Sequence, residues 1–141
     1  MSRVDFAQRM KSGCILMDGG MGTQIMASGA EAGFCNELLN ETAPELISHV
    51  HAGYAGAGSE AIITNTFGAN AVVLGRHGLA DRAEALNTAA AVVARRAAGP
   101  DRYVLGDVGP TGDFLEPLGT LKAGELKDHF ARQCEALLAG G

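Results

Sequence analysis

Three short polar stretches in this chain have the residue types to hold a small ligand. Asp18-Gly19-Gly20-Met21-Gly22-Thr23 puts a carboxylate directly after the apolar run Cys14-Ile15-Leu16-Met17. Thr64-Asn65-Thr66-Phe67 follows Ala61-Ile62-Ile63 in the same way. Gly106-Asp107-Val108-Gly109-Pro110-Thr111-Gly112 follows Tyr103-Val104-Leu105. A carboxylate at a strand end can hold a ligand ammonium group, and glycine amides can hold a carboxylate, a pair of functions that suits an amino acid. The same residues fit a tight strand-to-helix turn capped by Asp18, and local pattern leaves both readings open. Asn65 and the two threonines fit either ligand contacts walled by Phe67 or hydrogen bonds to neighbouring loops. The glycines after residue 105 fit either close backbone approach or a structural turn.

Several chemistries find no support. No Gly-Lys-Ser/Thr follows the first glycines and no G-x-G-x-x-G is present, so neither a phosphate loop nor a dinucleotide fingerprint is read. Cysteines at 14, 35 and 134 match no zinc or redox spacing and are expected to be buried or spectator thiols in a reducing compartment. His49, His51, His77 and His129 are expected on helix surfaces or loops. His49 and His51, two apart, face different sides of a helix, so no metal pair is formed. No nucleophile–histidine set can be assembled.

The elements that must position these loops alternate. Strands are expected at 14–17, 61–64 and 103–106, unbroken apolar runs of the kind covered on both faces. Helices are expected at 4–11, 22–28, 42 to about 55, 69–76, 81–98 and 122–139. Thr42 with Glu45 three residues later reads as a capping box, with Pro44 in the first turn. Asp81 reads as the cap of the helix that Gly99-Pro100 stops. Inward stripes are expected at Leu46, Ile47, Val50 and Tyr54; at Leu86, Ala90, Val93 and Ala97; and at Leu126, Phe130, Cys134, Leu137 and Leu138. Residues 29–41 read as irregular, and 107–121 as a long functional loop.

The 141 residues, 47% hydrophobic and 19% charged, suit one soluble α/β domain. A net charge of −5 without a basic stripe argues against nucleic acid. No apolar segment precedes Asp18 that would serve as a signal or membrane span, so the cytoplasm is expected. Three strand-helix repeats imply a parallel sheet, either a small doubly wound one or part of a (β/α)₈ barrel; a whole barrel needs about 250 residues. In both, ligands gather at the carboxyl ends of the strands.

The motifs resemble the homocysteine S-methyltransferase family, which includes the homocysteine-binding module of cobalamin-dependent methionine synthase and betaine–homocysteine methyltransferase. The matching stretches are Leu16-Met17-Asp18-Gly19-Gly20-Met21-Gly22-Thr23, Asn36-Glu37-Leu38-Leu39-Asn40, Pro44-Glu45, Ala57-Gly58, Ile63-Thr64-Asn65-Thr66-Phe67-Gly68 and Gly106-Asp107-Val108-Gly109-Pro110-Thr111-Gly112. The resemblance implies that residues 1–141 are the amino-terminal portion of a homocysteine-binding domain, the first three β/α units of a (β/α)₈ TIM barrel. It implies a zinc-activated homocysteine thiolate that takes a methyl group to give methionine. The donor stays open among methylcobalamin, a betaine and a sulfonium such as S-methylmethionine. By the same analogy Asp18 holds the amino group, amides near Gly19 and Gly20 hold the carboxylate, Asn65, Thr66 and Phe67 line the pocket, and Asp107 and Gly109 lie near its rim. The family's zinc cysteines, including an adjacent Cys-Cys pair, belong to the later half of the barrel and have no counterpart here. Nor does the acidic residue that ends the family's fourth strand. The chain is therefore expected to be a truncated piece of the enzyme or one half of a split enzyme, and by itself to be a homo-oligomer, aggregation-prone or bound to a complementary chain. The alternative is an inactive half-barrel that binds a small amino acid or assembles with such a chain.

Overall fold

The structure, a computed structural model, describes residues 4–29 and 33–141. Its centre is a short parallel sheet. Strand β1 (Ala61–Ile63) pairs with β2 (Tyr103–Leu105) in the register Ala61↔Tyr103, Ile62↔Val104 and Ile63↔Leu105. The expected strand at 14–17 is reduced to one parallel bridge, Met17↔Ala61. The Glu60 and Ala61 amides donate to the Leu16 carbonyl, and the Asp18 amide donates to that of Ala61. The first segment thus runs along the outer edge of β1 and delivers Asp18 to the end of that strand. All three segments lead into their polar loops on the same side.

The helices are α1 (Phe6–Met10), α2 (Met21–Ala27), α3 (Leu39–Thr42), α4 (Pro44–Gly56), α5 (Ala71–Gly75), α6 (Ala83–Ala98) and α7 (Ala123–Ala139). The sheet is covered by α4 and α6 through small residues: Ala55, Ala94 and Ala98 pack on Ile62, with Tyr54 and Val104 alongside. Alanine lets helix backbones come close to the strands while costing no side-chain entropy. A second cluster joins Ile25 of α2, Ile47 of α4 and Val93 of α6, and a third joins Cys35, Ala69, Leu74 and Leu86. Removing Leu86 to Ala here would cost about 2–5 kcal/mol. The guanidinium of Arg102 donates to the carbonyls of Ala55, Ser59 and Ala98, tying the ends of α4 and α6 to the start of β2. At the opposite end from the loops, Arg9 makes a two-pronged pair with Glu60, at 2.9 and 2.8 Å. Phe6 packs edge-on against Tyr103, with ring centroids 5.0 Å apart.

Several local expectations need correction. The Thr42 capping box does not form: Ala43 occupies the cap position of α4, and the Thr42 hydroxyl donates backward to the Leu38 carbonyl. Asp81 lies in a 3₁₀ turn, Ala80–Arg82, and α6 starts at Ala83 with no side-chain cap. The stretch read as irregular holds a 3₁₀ turn at Asn36–Leu38 and then α3; its residues 30–32 lie outside the described ones. On α7 the buried stripe is Gln133, Ala136 and Leu137, whereas Cys134 and Leu138 are exposed. Cys134 and Leu138, with the edge of Leu137, line an open groove of about 340 Å³ with Val104, Gly106 and Val108 beside the outer edge of β2. His51 is fully buried rather than on a surface, because the inward stripe of α4 runs Ile47, Val50, His51, Ala55.

Neither ring nitrogen of His51 has a hydrogen-bond partner, and burial lowers its pKa to about 4. A depressed histidine pKa means that the unfolded chain takes up a proton the folded chain refuses. Stability should therefore be unaffected above about pH 6.5 and fall as pH drops from there through 4, by about 3 kcal/mol in all. Urea unfolding between pH 4 and 8 should show this slope in the parent chain, and the difference between parent and His51→Leu should carry it. Parallel pH profiles for the two would contradict the buried neutral imidazole.

Candidate functional site

The three loops meet in one cavity of about 350 Å³. It is lined by residues 18–22 from the first loop, by Asn36 and Glu37, by residues 63–67, and by Asp107. Asp18 is held at the strand end because its Oδ2 accepts the Ile63 amide at 3.0 Å. Its Oδ1 is buried and has no partner. Burial raises the pKa of Asp18 against the opposing pull of the Ile63 amide, and the charge of Asp107 adds to the rise. Burial likewise raises that of Asp107, with Glu37 adding its charge. Three carboxylates, Asp18, Glu37 and Asp107, thus face one space, and no Lys, Arg or His is among its lining residues. Such a field attracts a cationic group and repels an isolated anion.

Each wall is fixed by its own hydrogen bonds. The Asp107 amide donates to Thr64 Oγ1 at 2.9 Å, and Thr66 Oγ1 donates to the Asp107 carbonyl at 2.8 Å. The two hydroxyl oxygens are 2.6 Å apart. Since the single Thr66 hydroxyl hydrogen is committed to Asp107, Thr64 is the donor between them. The Asn65 side-chain amide donates to the Asn36 carbonyl at 2.8 Å and to Asn40 Oδ1 at 3.2 Å, and Asn40 returns a bond to the Asn65 carbonyl at 2.9 Å. Asn65 and Thr66 therefore spend their donors on building the wall. Phe67 stands at the mouth, 61% exposed. Gly19 gives way to Tyr54, whose Oη would lie 2.9 Å from a Cβ at that position and which donates to the Gly20 carbonyl at 3.3 Å.

Of the expected site residues, Asp18, Gly19, Gly20, Asn65, Thr66, Phe67 and Asp107 line the cavity. Gly109 does not. It is buried behind Phe67, where a Cβ would lie 2.2 Å from the Phe67 carbonyl oxygen. Glu37, Asn40 and Tyr54 are the participants to which the sequence assigned no role at the site, and Thr64 takes the second of its two readings, hydrogen bonds to a neighbouring loop. For Glu37 the available signal was its place in Asn36-Glu37-Leu38-Leu39-Asn40, one of the stretches that carry the family resemblance. Tyr54 was read only as part of a helix face.

A protein-family model described as homocysteine S-methyltransferase matches residues 15–141. The methionine synthase of Mycobacterium tuberculosis is 40% identical over 138 residues, covering 88% of this chain and 11% of that protein. That of Mycobacterium leprae is 38% identical over 149 residues, covering 96% and 12%. Among solved structures, the metallated form of the homocysteine methyltransferase MmuM from Escherichia coli superposes with a TM-score of 0.76 at 26% identity, covering 95% of this chain and 53% of that one. The oxidized form of MmuM gives 0.73 at 27% identity. The chain therefore spans about half of the matched solved chains and roughly a tenth of the matched methionine synthases.

The contact behind Phe67 is directly testable. Gly109→Ala should destabilise the chain by about 2–3 kcal/mol through overpacking. Val108→Ala, at an exposed neighbour, should change it by less than about 1 kcal/mol. Denaturant midpoints for both variants decide this, and equal midpoints would refute the close approach.

Proposed function

The chain belongs to the homocysteine S-methyltransferase family, and from that premise we propose that it supplies the amino-acid-binding side of a site where homocysteine is methylated to methionine. The observation that carries this reading is the cavity itself, which has carboxylates on its walls, glycine backbone along one side and no lining cation. The ammonium group of homocysteine sits against the Asp18 carboxylate, where it offsets the burial cost of the ionised form. The α-carboxylate lies along the backbone at Gly19 and Gly20, where no side chain intervenes. Phe67 shields the methylenes at the mouth, and Asp107 faces the rim. Asn65, Thr66 and Gly109 hold these walls in place. The sulfur then points out of this half of the site. In the reaction the sulfur lone pair forms a bond to the methyl carbon as the bond from methyl to donor breaks, and the thiol proton has left beforehand.

Zinc is the group that the resemblance implies for that deprotonation. Among the described residues no three His, Cys, Asp or Glu side chains come together as a metal-ligand set. Cys14 and Cys134 are exposed, and Cys35 is buried with its thiol donating to Glu37 at 3.5 Å. These residues do not fit a metal centre, so no step is assigned to them through one. We place thiolate activation and the donor, whether methylcobalamin, a betaine or a sulfonium, with sequence beyond these residues.

Two further observations support the reading of these residues as part of a larger (β/α)₈ barrel: the matched chains are longer, and β2 pairs only with β1 among the described residues. Beside that edge lies the groove lined by Val104, Val108 and Leu137, with Leu138 82% exposed. Further β/α units would cover it. No helix among the described residues is long and apolar enough to cross a membrane.

Two outcomes are expected. The raised pKa of Asp18 means that the folded state favours its protonated form, so its contribution to stability is present below the unfolded carboxylate pKa and lost as pH rises through the folded one. Asp18→Asn at neutral pH should therefore leave unfolding unchanged or stabilise the chain, while weakening L-homocysteine at least about tenfold in calorimetry. Undiminished affinity would remove Asp18 from its role. In sedimentation velocity the 141-residue chain should self-associate, and Leu138→Lys should shift it toward monomer. A parent chain that stays monomeric at high concentration would argue that the groove needs no cover.

A further inference from the structure

Resting on that reading for what the cavity holds, we propose that Glu37 is a positioning residue that sets the Phe67 wall through the backbone amide of Gly68. Glu37 sits in the 3₁₀ turn Asn36–Leu38 and lines the cavity. Its Oε1 accepts the Gly68 amide at 2.8 Å. A Cβ on Gly68 would lie 2.7 Å from that oxygen and 3.3 Å from Val73, so the carboxylate reaches the amide only because residue 68 has no side chain. The other carboxylate oxygen accepts the Cys35 thiol, which fixes the orientation of the group.

The same turn grips the loop a second time, since the Asn36 carbonyl accepts the Asn65 side-chain amide at 2.8 Å. Phe67 is thus pinned between two anchored neighbours, and its own carbonyl rests on Gly109. Its ring is mostly exposed, so the backbone on either side decides where the ring stands. A wall held this way sets how long a ligand side chain can be before it meets the mouth. Beside the charge it adds to the lining, Glu37 therefore sets the admitted side-chain length through Phe67, by reach and hydrogen bonding.

The test separates reach from charge. Glu37→Gln keeps an acceptor at the same reach and drops the charge; Glu37→Asp keeps the charge and withdraws the acceptor by one methylene; Glu37→Ala removes both. In amide-resolved NMR of the unliganded 141-residue chain, the Gln variant should retain slow Gly68 exchange and the parent Phe67 ring shifts. The Asp and Ala variants should exchange Gly68 at least about fivefold faster and move the Phe67 ring. The Ile63 amide, bonded to Asp18, should stay put in all three. Gly68 protection that survives in Asp and Ala, or that is lost equally in Gln, overturns the proposal. If Ala does not fold, Asp against Gln still decides.

With ligand, the ratio of affinities for L-homocysteine and the shorter L-cysteine should change at least about fivefold in Asp and Ala and hold in Gln, and an unchanged ratio overturns the proposal. A parent chain that binds neither thiol would defeat the proposed function, while the Gly68 measurement would still judge Glu37.

Discussion

The site depends on a closed ring of hydrogen bonds between two threonines and the backbone N–H and C=O of one residue, Asp107. The Asp107 amide donates to Thr64, Thr64 to Thr66, and Thr66 back to the Asp107 carbonyl. Both threonines are buried. Strands β1 and β2 end side by side at Ile63 and Leu105, and the ladder continues one step as the Thr64 amide donates to the Leu105 carbonyl. Beyond that point the backbones diverge, and backbone pairing can no longer hold them. The threonine ring takes over where the ladder stops. In a ring every hydroxyl both donates and accepts, so each bond polarises the next and no buried polar atom in it is left unpaired.

Side-chain amides extend this order into the helices. Gln133 of α7 donates to the Thr66 carbonyl at 3.3 Å and to Asn87 Oδ1 at 3.1 Å. Asn87 of α6 in turn donates to the carbonyls of Ala69 and Ala83. Asn70 caps α5 through Val73 and reaches toward the Gly109 carbonyl at 3.4 Å. A polar layer therefore lies between the loop-bearing end of the sheet and the helices, above the apolar layer of alanines around Ile62. Buried polar groups of this kind specify one arrangement more sharply than apolar contacts, because a shifted register would leave them unpaired.

How much of this was legible in the sequence follows from the range of each interaction. The strand ends and the loops after them were legible, since an apolar triplet followed by Thr, Asn, Gly or Asp is a local signal. The placement of Asp18, Phe67 and Asp107 on one cavity followed from parallel topology, which sets all the loops at one end. The threonine ring was not legible, because it joins residues 64, 66 and 107 through a register that only the folded sheet defines. Glu37 escaped for the same reason, its partner being 31 residues away. His51 and Leu138 were misplaced for a different reason. Helical periodicity gives the inward stripe only to within a residue, and on α7 the true stripe runs through Gln133, which hydropathy rejects.

The unpartnered Oδ1 of Asp18 then takes on meaning from its surroundings. The same end of the sheet meets the hydrogen-bonding demand of Thr64, Thr66, Asn40 and Asn65 with short, mutual contacts. A fold able to do that for four buried polar side chains leaves the Asp18 Oδ1 buried and unpartnered, and burial opposes its ionisation, with the charge of Asp107 adding to it. In the free chain this arrangement costs stability. A ligand cation would offset that cost, of which the burial of the Asp18 carboxylate is the larger part and the charge of Asp107 the smaller. A neutral ligand of the same shape would gain only the contact. The acidic lining therefore favours a cationic group over a neutral one of the same shape, and the threonine ring holds the backbone from which Asp107 projects.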